Sequence, residues 1–169
     1  LATDTLGREH QLATGQLDFV QPSRLGLTYT DADGREKTPV MIHLAIAGSL
    51  ERFISIYIEH TGGAFPLWLS PVQVKILPIS EKHNEYARGV AKELRANEVR
   101  VEVDDRNETL GKKIRDAKTE KIPYLFVVGD KEVESGQVTV ESRSGSEGAQ
   151  PLSKIIEILK EKISSRAAG

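Results

Sequence analysis

The hydrophobic pattern changes in kind across residues 61–71, TGGAFPLWLSP. This stretch holds two glycines, two prolines and the only tryptophan. Ahead of it the chain reads as short antiparallel strands closed by one helix. After it, strands and amphipathic helices alternate. A chain that changes pattern so sharply is expected to fold as two segments, 1–71 and 72–169. A freely exposed linker seldom carries Phe65, Leu67, Trp68 and Leu69 together, so the junction is expected to lie against a neighbouring surface.

In the first segment, Gln11–Val20 is a strand candidate with Gly15 inside it, and Pro22 ends it or puts it at an edge. Leu25–Thr30 alternates with period two. Asp31–Gly34 is a turn in which Gly34 supplies a positive φ. Thr38–Ala47 is apolar on both faces and is expected to be a buried central strand. Beyond Gly48-Ser49 the period lengthens: Leu50, Phe53, Ile54, Tyr57 and Ile58 form a helical stripe, with Ser49 as N-cap and Gly62-Gly63 as the stop.

In the second segment, 72–79, 99–103, 124–128 and 137–141 read as strands. Residues 81–97, 109–118 and 151–166 read as helices, Gly129-Asp130 as a turn and 142–149 as a polar loop. The expected class is α/β, or α+β over the whole chain, with a mixed, mostly parallel sheet covered by helices.

Charge narrows the partners. The 169 residues carry 23 Lys plus Arg against 25 Asp plus Glu, a net charge of −2. A whole-surface nucleic-acid coat and a polybasic membrane binder are excluded, so an anion site must be local. Lys112, Lys113, Arg115, Lys118 and Lys121 bunch in and just beyond one predicted helix. No apolar run approaches the ~20 residues of a membrane span. Cysteine is absent, which removes disulfide scaffolds, thiol redox motifs and thiolate metal sites. The chain opens with Leu1 and its one methionine is Met41, which reads as a piece of a longer polypeptide.

Two places could carry chemistry. At Gly48-Ser49-Leu50-Glu51-Arg52, a strand feeds a helix through glycine and offers backbone N–H groups beside a cation. This suits a phosphate or a purine, and equally a plain connection with a surface charge. His43 reads either as a half-buried histidine with one hydrogen bond or as one ligand of a zinc needing about three. His10, His60 and His83 lack metal-ligand spacing. Serine-hydrolase, P-loop and dinucleotide fingerprints are missing.

Val40-Met41-Ile42-His43, Ala45-Ile46 and Gly48-Ser49-Leu50-Glu51-Arg52-Phe53-Ile54 together resemble the third conserved motif of the class II aminoacyl-tRNA synthetases, in its threonyl form. Leu6-Gly7-Arg8-Glu9 with Gln11, and Gln16-Leu17-Asp18-Phe19 with Pro22-Ser23-Arg24-Leu25, resemble the strands that precede it. Residues 66–74 resemble that family's junction to its anticodon-binding domain. Asp105-Arg106-Asn107-Glu108, Gly111, Lys113-Ile114-Arg115, Ile122-Pro123-Tyr124 and Gly129-Asp130-Lys131-Glu132-Val133 resemble that domain.

The resemblance implies a sheet of five strands with three helices in 72–169. It implies ligation of threonine to tRNA(Thr) through an ATP-derived adenylate, with Mg2+ accompanying ATP. Arg52 would be catalytic, contacting ATP and stacking on adenine, while Gln11, Gln16 and Ser49 line the adenylate pocket. His43 would be one of three ligands of a zinc that binds the amino and hydroxyl groups of threonine, a means of rejecting valine. Asn107 and Glu132 would read anticodon bases. Lys113 and Arg115, in the basic helix, would hold phosphates, although that helix also reads as a plain solvated face. A homodimeric, cytoplasmic parent enzyme is implied, without a membrane partner.

Three positions depart from the family pattern. Leu44 stands where arginine is usual, Leu12 where many bacterial relatives carry cysteine, and Glu141 where an arginine often contacts the anticodon, with Arg143 nearby. The other two zinc ligands, the motif-two arginine and the dimer segment lie upstream in the family. The chain alone is therefore expected neither to hold zinc nor to aminoacylate, and its exposed sheet edge is expected to promote self-association. Two rivals stand beside this reading. One is a stand-alone synthetase-derived module that binds RNA or protein without catalysis. The other is an α/β domain with no RNA role.

Overall fold

The computed structural model describes residues 1–167. It separates into two compact units, Leu1–Gly63 and the described residues from Ala64 on. The break falls ahead of the 71/72 division expected from sequence, because the segment from Ala64 packs with the second unit. Leu67 is buried in that unit's main core. The carbonyl of Leu67 accepts from Gln73 Nε2, those of Ser70 and Trp68 from Arg100, and that of Phe65 from Arg143.

In the first unit, β1 (Ala2–Thr3) and β2 (Glu9–His10) form a hairpin. β3 (Thr14–Asp18) is followed by α1 (Gln21–Arg24), whose first turn holds Pro22, where a missing N–H costs nothing. β4 (Tyr29–Thr30) and β5 (Glu36–Lys37) pair around the Asp31–Gly34 turn, with Gly34 at φ +75°. β6 (Met41–Ala45) pairs antiparallel with β3, setting Gln16 opposite His43. α2 (Leu50–Thr61) closes the unit. Ser49 caps it as expected, and it stops at Gly62 in the left-handed region, with the Gly63 N–H returning to the Ile58 carbonyl.

Two expectations fail here. Leu25–Thr30 contracts to β4, because Gly26 turns at φ +65° and the Leu27 N–H is drawn back to the Pro22 carbonyl. Thr38–Ala47 is not a buried central strand. Its ordered part, β6, pairs only with β3, and Ile42, Leu44 and Ile46 are 69%, 72% and 80% exposed. Apolarity on two faces specifies burial only where other elements cover both faces. Among the described residues they do not.

In the second unit, β7 (Val74–Pro78) leads through a 3-10 turn (Glu81–His83) into α3 (Asn84–Ala96), then β8 (Val101–Val103), α4 (Leu110–Thr119) and β9 (Tyr124–Val128). α5 (Asp130–Ser135), β10 (Gln137–Ser142), β11 (Gly145–Pro151) and α6 (Leu152–Ser164) follow. The five strands lie in the order β11-β10-β9-β7-β8, with β8, β7 and β9 parallel and β10 and β11 antiparallel. This is the expected mixed sheet. Ala87, Val90, Ala91 and Leu94 of α3 join Ile155, Ile156 and Leu159 of α6 over one face, against Val74, Ile76, Phe126, Val138 and Val140. Ala117 of α4 covers Leu77 and Leu125 on the other. Each large aliphatic or aromatic side chain buried there contributes roughly 1.5–3 kcal/mol.

Two elements depart from the sequence reading. Gly129-Asp130 is not a turn but the start of α5, whose first turn closes when Glu132 Oε2 accepts the Gly129 N–H at 2.9 Å. Residues 145–151 are not a loop: they pair with β10 as an edge strand, with a bulge between Val140 and Glu141.

Candidate functional site

In the first unit, the β6–α2 corner is built on Gly48, at φ +60°. A Cβ there would sit 2.7 Å from the Leu12 carbonyl oxygen, so only glycine allows the two backbones to pass this closely. Ser49 Oγ accepts the Arg52 N–H at 3.4 Å and donates to Glu51 Oε2 at 2.7 Å. That hydroxyl, followed by the Glu51 N–H, holds the Glu51 carboxyl below its ordinary range. Arg52 is exposed, and its Nη1 donates to the Gln11 carbonyl at 3.4 Å. The corner thus gathers three of the expected nucleotide-site residues: Gln11 through its backbone, Ser49 and Arg52.

Gln16 and His43 lie directly opposite each other across β3 and β6, which puts both on one face of that ribbon. Asp18 lies two residues on from Gln16, on the same face, and its Oδ2 accepts from His43 Nε2 at 3.0 Å. The Gln21 and Val20 N–H groups, then His43, hold the Asp18 carboxyl low. One imidazole beside one carboxylate does not complete a tetrahedral zinc set, and no group of three or more His, Asp or Glu able to hold a metal occurs among the described residues.

In the second unit the expected RNA-facing residues follow the carboxyl ends of parallel strands, where open α/β sheets bind ligands. Asn107 is exposed in the loop after β8, and Glu132 lies in α5 just after β9, with β7 between those two strands. The Asn107 loop is braced from inside. Asp104 is buried and accepts from Arg106 Nε and Nη2 at 2.8 and 2.7 Å, and Arg106 Nη2 also reaches Asp116 Oδ2 at 2.9 Å. The guanidinium is the main cause of the lowered Asp104 pKa. Glu132 is half-buried, with Oε1 accepting from Thr139 Oγ1 at 2.7 Å and Oε2 from the Gly129 N–H. Burial alone would raise its pKa, but the Thr139 and Gly129 hydrogen bonds outweigh it and the carboxyl lies low.

The basic helix does not present all its cations. Lys113 is buried, with Nζ donating to the Pro78 carbonyl at 3.0 Å, so it supports the end of β7 and offers no surface charge. Lys112 pairs with Glu108 at 2.5 Å. Arg115 and Lys121 are exposed. Lys118 pairs with Glu141 at 2.5 Å, which occupies the carboxylate that departs from the expected arginine. Arg143 turns away, to the carbonyls of Phe65 and Lys121.

Sequence reasoning passed over the Asp104–Arg106–Asp116 clamp, Thr139, and the contact at 3.1 Å between His83 Nε2 and Asp130 Oδ1 at the start of α5. Only the adjacency of acids and arginine in Asp104-Asp105-Arg106, and the alternation of Thr139 with buried valines, signal them.

The model of the anticodon binding domain family matches residues 73–162, and that of the tRNA synthetase class II core domain (G, H, P, S and T) matches residues 1–61. The chain belongs to the anticodon-binding domain family, here preceded by a class II synthetase core segment. Its curated relatives narrow the likeness to threonine. The threonine–tRNA ligase of Caldanaerobacter subterraneus subsp. tengcongensis is 52% identical over 165 residues, covering 97% of this chain and 26% of the relative. That of Thermotoga maritima is 54% identical over 144 residues, covering 85% and 22%. The chain thus spans about a quarter of the length of such relatives. Among solved structures, the RNA binding domain of threonyl-tRNA synthetase from Cryptosporidium parvum Iowa II matches with a TM-score of 0.84 and 39% identity, over 99% of this chain and 42% of that one. Prolyl-tRNA synthetase from Cryptosporidium parvum, complexed with halofuginone and AMPPNP, matches with a TM-score of 0.70 and 26% identity, over 92% and 34%. No helix among the described residues is long and apolar enough to cross a membrane.

Proposed function

We propose that this chain is part of a threonine–tRNA ligase, supplying a segment of its ATP site from the first unit and recognition of the tRNA(Thr) anticodon from the second. The carrying observation is the placement of Asn107 and Glu132 after the carboxyl ends of β8 and β9, the two parallel strands that flank β7, with the Asn107 loop braced by Arg106–Asp104 and Glu132 held by Gly129 and Thr139. An amide and a carboxylate so placed suit the Watson–Crick edges of unstacked bases. Arg115, exposed on α4, adds a cation for the backbone.

In the first unit, Arg52 is suited to a nucleotide. Its side chain is exposed, its guanidinium donates to the Gln11 carbonyl, and it stands in the first turn of α2, where backbone N–H groups favour an anion. Ser49, at the cap of the same helix, and Gln16, on the β3–β6 ribbon, are the further polar groups assigned to this pocket. Mg2+–ATP, threonine and a second subunit belong to the activity of the whole ligase. His43 supplies one donor toward a zinc and this chain does not complete the set, so no chemical step rests on zinc. The proposal locates the activity in the cytoplasm with the rest of translation.

Titration with a threonine-tRNA anticodon stem-loop, and with loops in which each anticodon base is replaced, tests the reading. The chain should prefer the threonine loop, and Asn107→Ala and Glu132→Ala should each cut that preference about tenfold, on the order of one well-made base contact. Equal binding to every loop would overturn it. ATP–pyrophosphate exchange with threonine should show no turnover by this chain alone. The stand-alone module reading gains from one observation, the Lys118–Glu141 pair at the place where the resemblance leads one to expect an arginine used on the anticodon. It predicts no change in exchange when the remainder of a ligase is supplied in trans.

A further inference from the structure

The carboxylate assigned to base reading has an unusual hold. Glu132 projects from the first turn of a six-residue helix, too short to be rigid by itself. Its two oxygens are fixed separately: Oε2 by the Gly129 N–H of its own turn, and Oε1 by the Thr139 hydroxyl, which reaches across from β10. The second contact ties α5 to β10. Thr139 sits between Val138 and Val140, both fully buried on the α3–α6 side, so its side chain emerges on the opposite face. Glu141, two residues on, emerges on that same face and pairs with Lys118 of α4. Along β10, therefore, one hydroxyl fixes α5 and one carboxylate fixes α4, roughly 7 Å apart at the rise of a strand.

Gly129 makes the geometry exacting. Its φ of −129° is ordinary, but a Cβ there would lie 2.7 Å from Ile79 Cδ1 and 3.2 Å from Glu132 Oε2. The carboxylate thus lies close against the backbone of the turn, where a side chain at 129 would crowd it. A carboxylate pinned by one donor on each oxygen keeps one lone pair on each in a fixed orientation and accepts only.

We propose that Thr139 is a positioning residue for anticodon discrimination, its hydroxyl aiming the Glu132 carboxylate at the base. The proposal rests on the base-reading role of Glu132. Nothing in the family pattern quoted above includes this position, and its chemistry is simple: one O–H donated to one carboxylate oxygen, with no base contact of its own.

The test uses the chain with the same threonine anticodon stem-loop and its base-replaced series. Thr139→Val keeps the shape and the strand preference and removes the donor. Thr139→Ser keeps the donor. Thr139→Val should lose about tenfold of the discrimination between loops, Thr139→Ser should hold it within about twofold, and overall affinity for the replaced loops should not change. A purely structural role for Thr139 would lower stability without moving the ratio between loops. Wild-type discrimination in Thr139→Val, alongside its loss in Glu132→Ala, overturns the proposal while leaving Glu132 as the reader. Unchanged discrimination in Glu132→Ala removes the base-reading assignment itself, and this proposal with it. Should Thr139→Val fold poorly by far-UV circular dichroism, equal loss of discrimination in Thr139→Ser and Thr139→Ala would overturn the proposal. Loss in Thr139→Ala alone would uphold it.

Discussion

Arg106 grips Asp104 with two parallel hydrogen bonds, Nε at 2.8 Å and Nη2 at 2.7 Å, one residue before Asn107. A bidentate fork fixes direction as well as distance, and lysine cannot reproduce it. Arg106→Lys should therefore loosen the Asn107 loop while keeping its charge. Affinity for the threonine anticodon stem-loop is expected to fall several-fold at constant salt, with an unchanged salt slope. A steep loss of slope instead would mean that Arg106 itself contacts phosphate.

The two cations singled out on the basic helix should behave oppositely. Arg115 is exposed and Lys113 is buried under the end of β7. Arg115→Ala should reduce the slope of log affinity against log salt by about 1, as loss of one phosphate contact does. Lys113→Ala should leave the slope alone and lower the urea midpoint, because it strips the Pro78 carbonyl of its donor.

Lys113 also shows what was legible. Leu110, Lys113 and Ala117 recur at helical spacing on one face, so the wheel itself places Lys113 inward. Clustering of positive charge in the sequence masked that. α2 was readable because its stripe, its Ser49 cap and its glycine stop are all local signals. β11 was not, because Gly-Ser-Glu-Gly-Ala-Gln has little strand preference and is held by pairing with β10. α5 stayed hidden for a similar reason: its closure depends on Glu132 meeting Gly129 and Thr139, and six residues carry no periodicity. Asn107 and Glu132 were legible as residue types within motifs. Their supports, Arg106 and Thr139, are properties of the fold.

Gly48 is a sharper test of the first unit. With φ at +60° and the Leu12 carbonyl 2.7 Å from any Cβ, Gly48→Ala is strained in the backbone and crowded at once. Backbone strain alone costs about 1–2 kcal/mol. Amide exchange in α2 should accelerate accordingly, while exchange in β7 and β9 stays as it was. Uniform acceleration in both units would show that they unfold together.

Acid should weaken both units. Asp4 is held low by His10 and Arg8, Asp104 by Arg106, and Asp130 by Lys82 and His83. Each folded carboxyl binds its proton less readily than the unfolded one, whose pKa is about 3.9. Their stabilisation is complete well above that value and is lost as pH falls through it toward the lower folded values. The urea midpoint should drop steeply on acidification below about pH 4.5, and Asp104→Asn should flatten the second unit's share of that drop. A midpoint independent of pH in this range would contradict the assignment.

The exposed Ile42 and Leu44 on β6, with Ile46 just beyond it, are expected to drive self-association. Elution volume in size-exclusion chromatography should shift with concentration, and Ile42→Lys with Leu44→Glu should abolish the shift. A wild-type chain that elutes as a monomer at every concentration would remove this expectation.

The central claim is that one rim of the second unit meets the anticodon. Backbone amide resonances of the labelled chain, followed while the threonine anticodon stem-loop is added, test it most directly. The account predicts shifts concentrated in residues 104–109, along the outer face of α4 and in α5. Shifts confined to α6 and β11, or none at saturating RNA, would contradict it.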